Sequence, residues 1–246
     1  MKKVLSYTSI GVTLASILFF AVAFFGNPIS RVLANKAAND YLKTHYTELE
    51  LEKEKAFYNF KDAKYVVRLQ DKNSPDSQFA LSFDSLGRLK YDSYGDRELN
   101  TFRRYVDFLN KLSDEIANEN GFDFDFRLSP SGEKYYRSYL NLDQVFDADD
   151  LPSPVNAHFE SYAESPSLEG IMDNLKKVQT ALSKRKIPIE SFSGMVVPLA
   201  DKEDEDKAET WRNSISVFGV PEKVIVDGDM KARKKIYDDG NKIANK

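Results

Sequence analysis

The chain has 246 residues, 41% of them apolar, 30% charged and 13% aromatic, which excludes a largely disordered protein and leaves room for one or two globular domains. Its net charge of −4, with both signs mixed along the chain, excludes the concentrated basic surface that nucleic acid requires. Cysteine is absent, which excludes disulfides, thiolate metal sites, a cysteine nucleophile and a lipid-modified cysteine anchor.

Residues 1–3 are a short basic start, read as a cytoplasmic tail. From Val4 to Gly26 about 23 residues carry no charge. As a helix such a run is ~34 Å long, enough to cross a hydrocarbon core ~30 Å thick with a little tilt. Ala21-Val22-Ala23 has the small residues of a signal-peptidase site, yet Phe24-Phe25 follows where a polar cleavage region belongs. Residues 4–26 are therefore expected to stay as a transmembrane signal anchor, with the lipid bilayer as their partner. Lys2 and Lys3 on one side face Arg31 and Lys36 on the other, so the positive-inside rule is nearly balanced. The basic start before the apolar run favours an extracytoplasmic C-terminal part at the cell membrane.

The first domain is expected over 28–95. Asn27-Pro28 signals a helix start, an N-cap side chain followed by proline at the first helical position. Ile29, Val32, Leu33, Ala37, Tyr41 and Leu42 recur at helical spacing to about Tyr46. Four strands are expected next, in "LELEKEKAFYNF", "KYVVRLQ", "SQFALSF" and "RLKYDSY", separated by turns at Lys61-Asp62-Ala63, "KNSPDS" and "DSLG". Gly87 fits a hairpin position with positive φ. This spacing implies a helix packed on a four-stranded antiparallel meander.

Residues 96–246 read as a second, smaller α+β unit. A helix from about Asp96 to Asn120 carries Leu99, Phe102, Val106, Leu109, Leu112 and Ile116 on one stripe, with Gly121 at the C-cap. "FDFDFRLS" alternates as a strand, and "KYYRSYLNLDQVF" is expected to pair with it. The proline-rich segment 147–166 reads as an irregular connection. A helix capped by Ser167 runs to about Lys186. Strands "SFSGMVVPLA" and "NSISVFGV" flank a solvated acidic loop at 201–209, and Met230 to Lys246 reads as a polar helix or frayed tail.

No pattern of residues points to chemistry. His45 and His158 are the only histidines and are far apart, without an HExxH motif, so neither a catalytic triad nor a zinc site is indicated. The acidic runs Asp147, Asp149, Asp150 and Asp201, Glu203, Asp204, Glu205, Asp206 lack the register of a calcium loop. "VDGDM" at 226–230 is a turn signal, and no Walker loop or dinucleotide fingerprint occurs. Tyr58, Tyr65, Tyr91, Tyr94, Tyr135, Tyr136 and Tyr139 could line a peptide or glycan groove, or simply cover sheet faces. No catalytic, cofactor-binding or metal-ligating residue is therefore assigned, and no cofactor is expected.

"GNPISRVLANKAANDYLKTHY", "YNFKDAKYVVRL" and "FALSFDSLGRLKYDSY" resemble the YfjL-like proteins of bacilli and related Gram-positive bacteria, well over about residues 5–95 and loosely beyond. The resemblance implies a membrane-anchored surface protein and carries over no active-site residue. By analogy the helix-on-meander unit also resembles PepSY-type or cystatin-like modules, which bind or restrain other proteins. The reading is a non-enzymatic, membrane-tethered protein that binds a protein or peptide partner, with open sheet edges available for an added strand. The alternative is an envelope hydrolase acting on glycan or peptide through carboxylates. A cytosol-facing domain is a third reading.

Overall fold

The computed structural model describes residues 20, 22–132, 136–203, 213–228, 235, 237 and 238. The anchor expected at 4–26 falls largely outside these residues, as do most of the loop at 201–209 and of the tail from Met230. Among the described residues no helix is long and apolar enough to cross a membrane. The chain is α+β and divides into two compact units, residues 1–101 and 102–246.

In the first unit, helix α1 (Pro28–His45) begins as its sequence dictates. The Asn27 side chain accepts the Ile29 N–H at 2.8 Å, and proline occupies the first helical position. The face it buries is not the bulky stripe, however. Ser30, Ala34 and Ala38 are buried, while Ile29 and Val32 remain 69% and 67% exposed. Small side chains let the helix backbone lie close over the sheet. Farther along, Ala37, Tyr41 and Leu42 do pack on the core.

The sheet beneath contains β1 (Leu51–Lys53), β2 (Phe57–Asn59), β3 (Lys64–Asp71), β4 (Gln78–Phe83) and β5 (Leu89–Asp92), all paired antiparallel. The single first strand expected from "LELEKEKAFYNF" is two short ones, both on β3. Between them Ala56 is buried and donates its N–H to Asn35 Oδ1 of α1 at 3.0 Å instead of joining the ladder. Val67, Leu69, Leu81 and Phe83 alternate inward to meet α1. Full burial of each such side chain contributes about 1.5–3 kcal/mol.

The register fixes which turns share an end of this sheet. Tyr65, at the start of β3, lies opposite Phe83, at the end of β4. The turns at 60–63 and 84–88 therefore emerge at the same end, where α1 begins. Ala63 (φ +51°) and Gly87 (φ +76°) take the left-handed conformations these turns need.

Helix α2 (Glu98–Asn120) follows, and its first turn belongs to the first unit. Asn100 Nδ2 donates to the carbonyls of Asp76 and Gln78 at 2.8 Å each, and Thr101 Oγ1 to the buried Asp76 Oδ2 at 2.7 Å. These bonds account for a division after Thr101 rather than at residue 95.

The second unit has the larger core, not the smaller one expected. Tyr105, Leu109, Leu112 and Ile116 of α2 are buried in it, and Gly121 (φ +61°) follows the helix end. Strands β6 (Asp125–Pro130), β7 (Val155–Ala163), β8 (Ile189–Pro198) and β9 (Ile215–Val220) form a sheet in the order β6–β7–β8–β9. Helix α3 (Leu168–Lys184) connects β7 to the parallel β8, as a crossover requires. Ser167 Oγ caps it by accepting the Gly170 N–H at 3.1 Å.

Two expectations need correction here. Residues 136–138 of "KYYRSYLNLDQVF" form a short 3-10 turn, not a strand. The partner of β6 is β7, a regular strand inside the supposed connection 147–166. Pro152 and Pro154 gave that segment a loop-like composition, but both precede the strand. Behind them Val155, Ala157, Phe159 and Ser161 alternate inward. The acidic run at 201–209 also starts in structure, within helix α4 (Leu199–Glu203), rather than as free loop.

Candidate functional site

A tightly constrained local geometry lies where the N-terminal segment enters the first unit. Residues 20 and 22–25 are helical, and this helix closes as the Gly26 N–H donates to the Val22 carbonyl at 2.9 Å. Gly26 has φ +75°, and a Cβ there would stand 2.5 Å from Tyr58 Cγ. Backbone conformation and crowding thus both demand glycine. The next residue, Asn27, donates its backbone N–H to the Tyr65 hydroxyl at 2.6 Å while its side chain caps α1. Tyr65 is buried, and its ring centroid lies 5.1 Å from that of Tyr58. Arg31 donates to the Phe25 carbonyl at 3.2 Å, satisfying one of the acceptors left open at a helix C-terminus. Two residues therefore join two helices, and both are clamped on β2 and β3. Three contacts thus hold the end of the entering helix against β2, β3 and α1.

Apolar side chains surround this joint on the outside. Phe24 and Phe25 are 58% and 73% exposed, and the Phe24 ring centroid lies 6.1 Å from that of Phe60, itself exposed in the turn after β2. Leu86 is exposed in the turn after β4, whose Gly87 stands against the backbone of Leu33.

At the opposite end of α1, Asp92 gathers aromatic residues. Its Oδ2 accepts the Tyr41 hydroxyl at 3.0 Å and the Tyr46 hydroxyl at a shorter distance, and its Oδ1 accepts the Tyr94 N–H at 2.9 Å. Burial, then the Asp92 carboxylate, pushes both phenols upward from their ordinary range. Arg97 lies 3.4 Å above the Tyr94 ring and donates Nε to the Tyr94 carbonyl at 2.7 Å. A carboxylate engaged by three donors is poorly placed for acid–base chemistry. This cluster ties α1 to β5.

The candidate tyrosines that the structure describes have separate local partners within their own units. Tyr58 and Tyr65 belong to the joint, and Tyr94 to the Asp92 cluster. Tyr91 hydrogen-bonds Asp96, whose carboxylate raises its phenol pKa. In the second unit Tyr136 packs on Phe102 and Tyr139 on Tyr105, covering a core. Burial pushes the Tyr105 hydroxyl up to about 12. Tyr135 lies outside the described residues.

His45 stacks on Tyr41 at 3.9 Å and is exposed. His158 is in strand β7, not in a connection, and pairs in register with Arg127. Its side chain is exposed, and the partial desolvation that remains, then the Arg127 charge, lowers its pKa. Asp147 and Asp150 close a tight turn, and the Asp147 side chain accepts the Asp149 N–H at 3.0 Å. Asp201 begins the described part of the second acidic run, and Asp204, Glu205 and Asp206 lie outside the described residues. Within "VDGDM", Asp227 ends helix α5 (Glu222–Val226) and Gly228 has φ +69°. Among the described residues no group of three or more His, Asp or Glu is placed to hold a metal ion.

The sheet edges differ from one another. The outer side of β6 is closed by α2, because the Leu128 N–H donates to the buried Ser113 Oγ at 2.8 Å. Strand β9 ends the sheet on the other side, with Phe218 65% exposed. Sequence reasoning singled out neither Phe60 nor Leu86. The available signal was a large apolar residue inside a turn, where polar residues dominate.

Residues 1–93 match the family model of the YfjL-like N-terminal domain. No curated protein and no solved structure matches the chain.

Proposed function

Because residues 1–93 belong to the YfjL-like family as its N-terminal domain, we propose that the chain is a single-pass membrane protein that holds an α+β body against the extracytoplasmic face of the bilayer to bind a protein or peptide partner. The clamped joint at Gly26-Asn27 carries this reading. A freely secreted domain has no use for an apolar helix fixed in direction by Tyr58, Tyr65 and Arg31. The uncharged run 4–26 supplies the span, and Phe24 and Phe25 point outward as lipid-facing side chains do. Among the described residues no strand pairs with the outer edge of β9, and with Phe218 beside it that edge is where an extended peptide adds as a further strand.

Two experiments test this. Because cysteine is absent, Asn141→Cys gives one label site, and a membrane-impermeant maleimide added to intact cells should label it. Labelling only after lysis would overturn the topology. Photo-crosslinkers at Phe218 and at Arg127 on the α2-covered edge should capture a partner at the first position alone. Hydrolysis of cell-wall glycan or peptide by the purified chain, abolished by one carboxylate substitution, would favour the hydrolase reading instead.

A further inference from the structure

The exposed apolar residues of the first unit are not scattered. Ile29, Val32 and Leu33 lie in the first two turns of α1 and are 69%, 67% and 39% exposed, and Phe60 and Leu86 are 55% and 64% exposed. The Tyr65–Phe83 register puts the Phe60 and Leu86 turns at one end of the sheet. Phe60 reaches Phe24 of the entering helix, and Gly87 brings the Leu86 turn against Leu33. Phe60 and Leu86 thus sit at the end of the sheet where the apolar segment enters, and Ile29, Val32 and Leu33 lie on the first two turns of the helix that begins there. The opposite turn, between β3 and β4, carries Lys72, Asn73 and Ser74 instead.

Charge at this end is also distinctive. Arg31, Lys61, Arg88 and Lys90 are exposed there beside two carboxylates, Asp84 and the exposed Asp62, so the balance at this end is positive in a chain whose net charge is −4. Asp84 is held in its ionised form by bonds from Arg88, Leu86 and Lys90, and because two cations share this one carboxylate, one positive charge is left over. Apolar tips with basic residues behind them are the composition of a surface that dips into a headgroup layer and meets anionic lipid.

We propose that this end of the first unit, with Phe60 and Leu86 at its tips and Ile29 and Val32 on the adjoining turns of α1, inserts into the bilayer interface, so that the domain is seated on lipid rather than merely tethered. The proposal rests on the anchored reading above. It commits to lipid because the uncharged run leads directly into this end of the unit, and the contacts of Gly26, Asn27 and Arg31 hold the two together. Seating gives the tether a function: it fixes the height and tilt at which the domain meets its partner.

The full chain, reconstituted in bilayer nanodiscs containing anionic lipid, tests this with single-cysteine variants carrying a polarity-sensitive dye. Phe60→Cys and Leu86→Cys should show blue-shifted emission and quenching by brominated acyl chains. Asn73→Cys, at the opposite turn, carries the same dye and should stay accessible to aqueous iodide. Leu14→Cys reports the anchor separately. Lipid quenching at positions 14, 60 and 86 supports the proposal. Lipid quenching at 14 with aqueous access at 60 and 86 overturns the seating and leaves the anchor standing. Aqueous access at 14 overturns both. Labels at 60 and 86 shielded from iodide yet untouched by brominated lipid would mean that a second copy or another protein covers this face, and would also overturn the proposal.

Discussion

Gly26→Ala is the sharpest perturbation of the joint, and its cost has two parts. Placing an L side chain at φ +75° costs about 1–2 kcal/mol. The added Cβ would also lie 2.5 Å from Tyr58 Cγ and 2.6 Å from Tyr58 Cβ. These are root atoms, which rotation of the ring cannot remove. Relief requires β2 to shift, an overpacking cost of about 1–3 kcal/mol. The sum is about 2–5 kcal/mol. Gly121→Ala is the matched control, because Gly121 has φ +61° with nothing within 4 Å of its added Cβ, so only the first cost of about 1–2 kcal/mol applies. A chain of two units has no single unfolding free energy. The assay is therefore hydrogen exchange on the full chain in detergent micelles, read separately for peptides covering β2, β3 and the start of α1. A loss of 2 kcal/mol raises local exchange about thirtyfold. If Gly26→Ala raised exchange at the joint no more than Gly121→Ala does at the end of α2, the crowding argument would be refuted.

Tyr65→Phe removes the acceptor of the Asn27 N–H and should cost about 0.5–1.5 kcal/mol, seen as faster exchange of that amide with β4 unaffected. Ser113→Ala strands the Leu128 N–H against α2. A loss of about 1–3 kcal/mol is expected, appearing in calorimetry as a lower transition temperature for the second unit alone. His158, although exposed on β7, titrates below its ordinary value because partial desolvation and then the Arg127 charge disfavour its charged form. Folding therefore favours the neutral ring, and stability is intact above about pH 6.5. It is lost as pH falls from there toward the lower folded value. His158→Gln should flatten the dependence of second-unit melting on pH between about 7 and about 5. An unchanged slope would show that the ring is fully solvated.

Much of the local structure was legible because its causes are local. Asn27-Pro28, Gly87, Gly121 and Ser167 each act on neighbours a few residues away, and each does so in the fold as its chemistry requires. The buried face of α1 was not legible. The sequence offers two faces, one bulky and one small, and hydrophobicity favours Ile29 and Val32. The choice depends on how closely the sheet approaches, and that approach selects Ala34 and Ala38. Strand β7 was hidden for a related reason. Its alternation is carried partly by Ala157 and Ser161, weak signals alone, and both its partners lie outside its own segment. For the candidate site, "GNP" and the seam at Phe24-Phe25 were visible, whereas Phe60 and Leu86 gained meaning only from the register of β3 with β4.

By itself the sequence determined where helices start and stop, which turns need positive φ, and that an uncharged run leads into a capped helix. Those outcomes follow from backbone sterics and short-range hydrogen bonds, which act over a few residues. The tertiary structure alone decided that Gly26 sits under Tyr58, that Asn27 is held by Tyr65, and that two distant turns meet at the end of the sheet where α1 begins. Strand pairing sets those distances, because one residue of slip in the β3–β4 register would turn every side chain to the other face.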